Sequence, residues 1–275
     1  MRLELHCHSF YSKGRKIPTE GIDSPATLVK AAKALGLDGL ALTDHSTNRG
    51  WKEAGEEAER LGLLFIPGIE FSSREGHIIG LGLNEYVQSG LSAEETMDKI
   101  REQGAVSVAA HPFDLKRDGI GKLSEKANLI ETFNSMNVDG FSNRLARRFA
   151  EKAGKPTVAG SDAHTKEMLG QCVNGIDCLD LDSCLKAIRH GRVSFQASYM
   201  PLEKLLPWVK KRMVLSQGDI MEYIERNYWQ PKKWVSERLL HKFINDRNQR
   251  FWYWIGEMGL AGSRAYGLAK MLTAF

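Results

Sequence analysis

Residues 3–8 read Leu3-Glu4-Leu5-His6-Cys7-His8, and residues 39–45 read Gly39-Leu40-Ala41-Leu42-Thr43-Asp44-His45. Each is a short apolar run that ends in histidine. As strands, they project alternate side chains to opposite faces, so His6 and His8 share a face and Cys7 turns away. The same ending recurs along the chain. Leu64–Glu70 closes on Gly68-Ile69-Glu70, Ala105–Ala110 runs into His111-Pro112, and Thr157–Gly160 runs into Ser161-Asp162-Ala163-His164. His77 opens the run Ile78–Leu83, while Leu129–Phe133 and Val193–Gln196 complete the predicted strands.

Between these runs lie amphipathic stretches at 24–35, 50–61, 92–103, 141–153 and 181–190. Ser24-Pro25 reads as an N-cap followed by proline in the first turn. Gly36, Gly62, Gly104, Gly154 and Gly191 stand where helices stop. Repeated strand–helix units predict an α/β fold with a parallel sheet. About seven such units predict a closed or nearly closed barrel, whose site lies where strands pass into βα loops.

The chain has 275 residues, 42% hydrophobic and 26% charged, ordinary for a globular protein of one domain plus an appendage. No run is apolar enough for a membrane helix, and MRLELHCHSF lacks the apolar core of a signal peptide, so a cytoplasmic location is expected. Cys7, Cys172, Cys178 and Cys184 form no C-x-x-C pair and read as reduced thiols, with a small buried side chain preferred to a thiolate site.

Composition changes near residue 200. Residues 201–275 carry 13 Lys and Arg against 7 Asp and Glu, a net of +6, so the first 200 carry −2 of the chain's +4. Five of the six tryptophans lie there: Trp208, Trp229, Trp234, Trp252 and Trp254. The expected organisation is a barrel over 1–200 and a basic, aromatic helical appendage over 201–275. In the appendage 216–229 and 234–254 read as helices, Ser216-Gln-Gly-Asp219 as a capping signal, and Gly259, Gly262 and Gly267 as loosening its end. Aromatics among cations suit single-stranded nucleic acid. Packing of the aromatics on the barrel is the preferred reading, and a membrane surface or second subunit could also cover Phe251–Trp254.

Six of the eight histidines thus stand at strand ends or beginnings, which a barrel gathers at one mouth. One H-x-H, or one Ala-His-Pro turn, has ordinary structural explanations; the joint pattern points to a shared metal site. Imidazole with carboxylate suits Zn, Mn or Fe. Two ions about 3.5–4 Å apart need a bridging ligand, for which Glu70 is the natural candidate.

His6-Cys-His8-Ser9-x-x-Ser12, Thr43-Asp44-His45, Gly68-x-Glu70, Ala110-His111-Pro112 and Ser161-Asp162-Ala163-His164 resemble, in order, the motifs of the PHP (polymerase and histidinol phosphatase) family. The resemblance covers roughly residues 1–198. It implies a distorted TIM-like (β/α)7 barrel and two or three divalent ions at its mouth. His6, His8, Glu70 and Asp162 would hold one ion, Glu70, His77 and His111 a second, and His45 and His164 would contribute to a third. It implies phosphate-ester hydrolysis; the mechanism expected is attack by a metal-bridging hydroxide, with Asp162, or His164 if no metal holds it, protonating the leaving oxygen.

Where many members carry an acidic or histidine ligand, this chain has Lys13. Either the third ion is absent or weak and the Lys13 charge replaces part of its work, or Glu20 or Asp23 supplies the ligand; a solvated basic loop is the plain alternative. Lys13, Arg15, Lys16 and Arg117 are candidate phosphate-binding cations. Three functions follow: a phosphatase for a phosphorylated small molecule or nucleotide, a nuclease or nucleic-acid end-processing enzyme using the appendage, or a non-catalytic metal-binding module.

Overall fold

The computed structural model describes residues 1–14 and 17–273. Among them, nine strands form one sheet: β1 (Arg2–Cys7), β2 (Gly39–Leu42), β3 (Leu64–Ser72), β4 (His77–Leu81), β5 (Val106–Ala109), β6 (Leu129–Asn134), β7 (Thr157–Gly160), β8 (Cys172–Ile176) and β9 (Val193–Ala197). Their order is β7-β6-β5-β4-β3-β2-β1-β8-β9. The helices of the barrel are α1 (Pro25–Ala34), α2 (Trp51–Leu61), α3 (Ala93–Glu102), α4 (Phe141–Ala153) and α5 (Leu181–Arg189).

The sheet is a nearly closed barrel, and β1 is its seam. One edge of β1 pairs with β2 in parallel. At its start, the other edge meets β8, with Leu3 opposite Asn174 in antiparallel register. At its end, that edge meets the chain leaving β7: the His8 N–H donates to Ala163 O at 2.8 Å, and the Ala163 N–H to His6 O at 3.3 Å. Asn174 bridges the gap, donating from its amide to Ala159 O at 2.8 Å and accepting the Ala159 N–H at 3.1 Å. The mouth is therefore closed by backbone bonds beside His6 and His8.

Inside the barrel, Leu3, Leu5, Ile66, Ile79, Leu81, Val108, Leu129 and Val158 form a buried apolar floor, sealed by Cys184, Ala187 and Ile188 of α5. Strict alternation would place Leu3 and Leu5 on the face opposite His6 and His8. A register shift in β1 between Glu4 and Cys7 resolves the conflict. The extra residue turns His6 and His8 inward, and Cys7 packs outside with Leu28 and Ala32 of α1. β6 has a second shift, between Glu131 and Phe133.

The predicted strands all appear, and Ser24 caps α1 by accepting the Thr27 N–H at 3.2 Å. The sheet is not wholly parallel, however. β4 follows β3 through a tight turn with no helix between them and runs antiparallel to both β3 and β5. β8, unforeseen because Asn174 and Gly175 interrupt its apolar run, pairs antiparallel with both β1 and β9.

Helices α6 (Leu202–Leu215), α7 (Gln217–Asn227), α8 (Gln230–Asn245) and α9 (Arg250–Thr273) follow the barrel. α6 runs straight through Pro207, and its Trp208 joins the apolar cluster of α1 and α2. The helix expected over 234–254 is broken after Asn245. Asp246 Oδ1 accepts the Asn248 N–H, Asn248 Oδ1 accepts the Arg250 N–H, and these linked turns start α9 afresh. The glycines of α9 do not end it. A Cβ on Gly267 would stand 2.8 Å from Asp139 O, so this glycine admits close packing against the barrel. The Ser216 hydroxyl makes no cap for α7; it accepts the Thr19 N–H at 3.1 Å.

Candidate metal centre

The barrel mouth gathers His6, His8, His45, Glu70, His77, His111, Asp162 and His164 around Glu70. Glu70 Oε2 lies 3.4 Å from His6 Nε2, 3.3 Å from His8 Nε2 and 3.1 Å from His45 Nδ1. Its Oε1 lies 3.2 Å from His77 Nδ1 and 2.9 Å from His111 Nε2. Asp162 Oδ1 stands 3.3 Å from His8 Nε2 and 3.6 Å from His6 Nε2. The β3–β4 register explains His77: it sits opposite Ser72, so by pleat alternation it shares a face with Glu70.

Three overlapping groups have ligand atoms within 4.8 Å of one another: His6, His8 and Glu70; His45, Glu70 and His77; and His8, His45 and His164. The mouth also contains buried polar atoms without a hydrogen-bond partner. Among the described residues these are Glu20 Oε2, His45 Nδ1, His77 Nδ1, His111 Nδ1 and His164 Nε2. Each such atom costs about 1–3 kcal/mol. Their shared location makes sense if they face ions, and a donor set of imidazoles and carboxylates fits Zn, Mn or Fe.

Outer contacts leave specific nitrogens free. His6 Nδ1 lies 2.8 Å from Glu131 Oε1, which orients Nε2 toward the cluster. Glu131 Oε2 also accepts the His111 N–H at 2.7 Å and the Asn134 amide at 2.9 Å. Ser12 Oγ accepts the His45 N–H at 3.0 Å and lies 3.1 Å from His8 Nδ1. His164 Nδ1 lies 2.8 Å from Asp162 O, leaving Nε2 bare. Asp162 and His111 hold left-handed backbone angles, φ 51° and 28°, which aim their side chains into the mouth.

Burial opposes ionisation of Glu70, but His45, His77 and His6 outweigh it and hold the carboxyl well below its ordinary value. Asp162 is likewise held ionised against burial, chiefly by His6. Burial alone would lower His111, yet its bond to Glu70 pushes it up to about 9. Burial outweighs the nearby carboxylates at His45 and His164 and lowers both.

Among the loop residues, Glu20 reaches the cluster. Its Oε2 lies 3.3 Å from His45 Nε2 and its Oε1 3.8 Å from His164 Nε2. Asp23 instead accepts the Lys166 N–H. Lys13 is exposed: its backbone bridges to Thr19, and Glu20, the residue after that bridge, reaches inward while the Lys13 side chain faces out. Arg15 and Lys16 lie outside the described residues. Arg117 and Lys116 are both exposed, and of the two Lys116 stands on the wall of the cleft. The cleft holds about 80 Å³, with Asp114, Asp118, Asn137, Trp208 and Arg212 also on its walls.

Glu131 was legible only as a carboxylate in an otherwise apolar strand. Trp208 and Arg212 had no signal linking them to the histidines. All four cysteines are free and buried, as expected.

The PHP domain family matches residues 4–165, and the PHP-associated family matches residues 140–193. A 5'-3' exoribonuclease of Haemophilus influenzae is 28% identical over 224 residues, spanning 78% of this chain and 74% of that protein. A 3',5'-nucleoside bisphosphate phosphatase of Chromobacterium violaceum is 38% identical over 117 residues, only 39% of either chain. A two-domain protein of Bacteroides vulgatus containing a PHP-like metal-dependent phosphoesterase superposes with TM-score 0.61 and 19% identity, over 72% of this chain and 65% of that one. With more than half its length matched and the family's ligand types assembled at one mouth, the chain belongs to the PHP domain family of metal-dependent phosphoesterases.

Proposed function

We propose that the protein removes a terminal phosphate from a small phosphorylated molecule or nucleotide. The supporting observation is the depth of the ligand cluster: His6, His8 and Glu70 are buried at the bottom of a walled cleft. Asp114, Lys116, Asp118, Asn137, Trp208 and Arg212 wall the approach to these ligands. The rest of the substrate would lie across the rim. A terminal phosphate enters such a cleft end-on; an internal diester would have to bring in chain on both sides.

His6, His8, Glu70 and Asp162 would hold one ion, and Glu70, His77 and His111 a second. His45, His164 and Glu20 would hold a third in place of a Lys13-assisted site. Bound Zn, Mn or Fe would supply Lewis acidity, making water nucleophilic near neutral pH and offsetting phosphate charge. Asp162, held ionised chiefly by His6, would serve as a ligand through Oδ1 rather than as the acid for the leaving group. His164 has Nδ1 engaged and Nε2 bare, so it serves as a lone-pair donor and not as the acid. Lys116 and Arg212 place positive charge on the cleft walls.

The second reading, end processing of nucleic acid, draws support from the exoribonuclease relative and from the exposed Trp229, Trp234 and Trp254, with Arg238 lying 4.7 Å over the Trp234 ring. A 5'-phosphorylated dinucleotide separates the two. Release of inorganic phosphate supports terminal hydrolysis; release of a nucleoside monophosphate with the terminal phosphate intact overturns it in favour of diester cleavage.

A further inference from the structure

We propose that α6 is a working part of the metal centre: Trp208, Arg212 and Ser216 position Glu20 so that its carboxylate completes an ion site with His45 and His164. This rests on reading those three side chains as ion ligands. The family matches stop at residues 165 and 193, before α6 begins, so this contribution lies outside them.

Glu20 sits in the long loop between β1 and α1, outside any helix or strand. Ordering such a loop costs about 1–2 kcal/mol per residue, so a ligand there needs fixing from elsewhere. Trp208 and Arg212 of α6 and Ser216, its C-cap, recur every four residues and therefore follow one side of the helix. Each bonds to the loop backbone. The Trp208 indole N–H donates to Glu20 O at 2.9 Å, Arg212 Nε donates to Thr19 O at 2.6 Å, and Ser216 Oγ accepts the Thr19 N–H at 3.1 Å. A second Arg212 nitrogen reaches Ile17 O at 3.3 Å.

These bonds fix the main chain and leave the carboxylate unspent. Arg212 stands 3.7 Å from Glu20 Oε1, beyond hydrogen-bond range, and Glu20 Oε2 remains buried without a partner, 3.3 Å from His45 Nε2. Trp208 also backs the next ligand, its ring centroid 4.9 Å from that of His164. Trp208, Arg212 and Ser216 are thus positioning residues that act through Glu20.

The test counts Mn per full-length chain by elemental analysis, and measures Mn affinity by calorimetry, for wild type, Glu20→Ala, Trp208→Phe and Arg212→Ala. Melting temperature is recorded for each. Trp208→Phe keeps an aromatic ring in the core while removing the indole N–H with part of the ring volume, and its melting temperature shows whether the fold survives, so it decides the matter if Arg212→Ala fails to fold. The expected result is that both α6 variants weaken the same ion that Glu20→Ala removes, by about 10–100-fold, while the other ions bind as in wild type. Arg212→Lys, able to reach one carbonyl, should restore part of that affinity. Wild-type Mn binding in both α6 variants, with an ion lost in Glu20→Ala, overturns the role of α6. Wild-type binding in Glu20→Ala instead overturns the ion site on which the role depends. Loss of all ions together with a fall in melting temperature in Trp208→Phe also counts against it, because α6 would then support the fold at large.

Discussion

His6 Nδ1 lies 2.8 Å from Glu131 Oε1, with both side chains shut away from solvent. Gly160, on the neighbouring strand, makes the contact feasible. A Cβ there would fall 1.9 Å from Glu131 Oε1 and 2.7 Å from His6 Cβ. A carboxylate behind a metal-binding histidine fixes its tautomer and strengthens it as a ligand. Glu131→Gln should weaken metal binding about 10–100-fold with little change in fold. Gly160→Ala should do more damage, since Glu131 or His6 must move. Metal titration of both variants checks the order; equal, wild-type affinities would contradict it.

Lys13 and Lys116 separate two views of the phosphate site. Both are exposed, but Lys116 stands on the cleft wall and Lys13 does not. Lys13→Ala should therefore leave steady-state kinetics within about two-fold of wild type. Lys116→Ala removes a charge-assisted contact to the substrate, costing about 1.5–3 kcal/mol, or roughly ten- to a hundred-fold in kcat/KM. The reverse pattern would place the phosphate on the other side of the mouth.

Glu4 gives the metal-free protein a pH dependence. Burial raises its pKa from 4.5 to about 7, although the His6, Ser161 and Gly170 N–H groups donate to it. The folded state keeps this proton where the unfolded state has lost it. Stability from this group is thus complete below about 4.5 and falls as pH rises toward 7. The loss is about 3 kcal/mol at most. Glu4→Gln should flatten the decline, so chelator-treated variant and wild type should differ more at pH 8 than at pH 5 in urea unfolding. Parallel curves would show that Glu4 does not titrate in this window.

Removing metal should also lower stability. The mouth holds unpartnered buried atoms from Glu20, His45, His77, His111 and His164, and ions bind only the folded arrangement. At a free ion concentration a hundred times Kd, the gain is about 2.7 kcal/mol. Chelation should lower the melting temperature, and added Mn or Zn should restore it. A melting temperature indifferent to metal would contradict the assignment of these atoms as ligands.

Much of this was legible in the sequence because strand ends in a barrel converge. His6, His45, Glu70, His111 and Asp162 each close an apolar run, so naming the runs placed the side chains near one another. The strand β8 escaped because Asn174, needed to bond Ala159, makes its segment read as polar. The bulge in β1 escaped because alternation alone cannot show that Leu5 and His6 both face inward. Glu20, Trp208 and Arg212 meet across nearly two hundred residues, and no local pattern encodes such a contact. Lys13 was weighed for its position in the motif, but Glu20, beside the residue that bridges to Lys13, is the one that reaches the mouth.

The most direct test is hydrolysis of an aryl phosphate monoester by the wild-type and Asp162→Ala proteins, each with Mn, with Zn and after chelation. Asp162 Oδ1 lies within 3.6 Å of both His6 Nε2 and His8 Nε2, so its loss should cost several orders of magnitude in kcat. Turnover that appears with metal, stops on chelation and is missing from Asp162→Ala is the predicted result. Turnover that persists in chelator or in Asp162→Ala, or none from wild-type protein shown to carry metal, would contradict it.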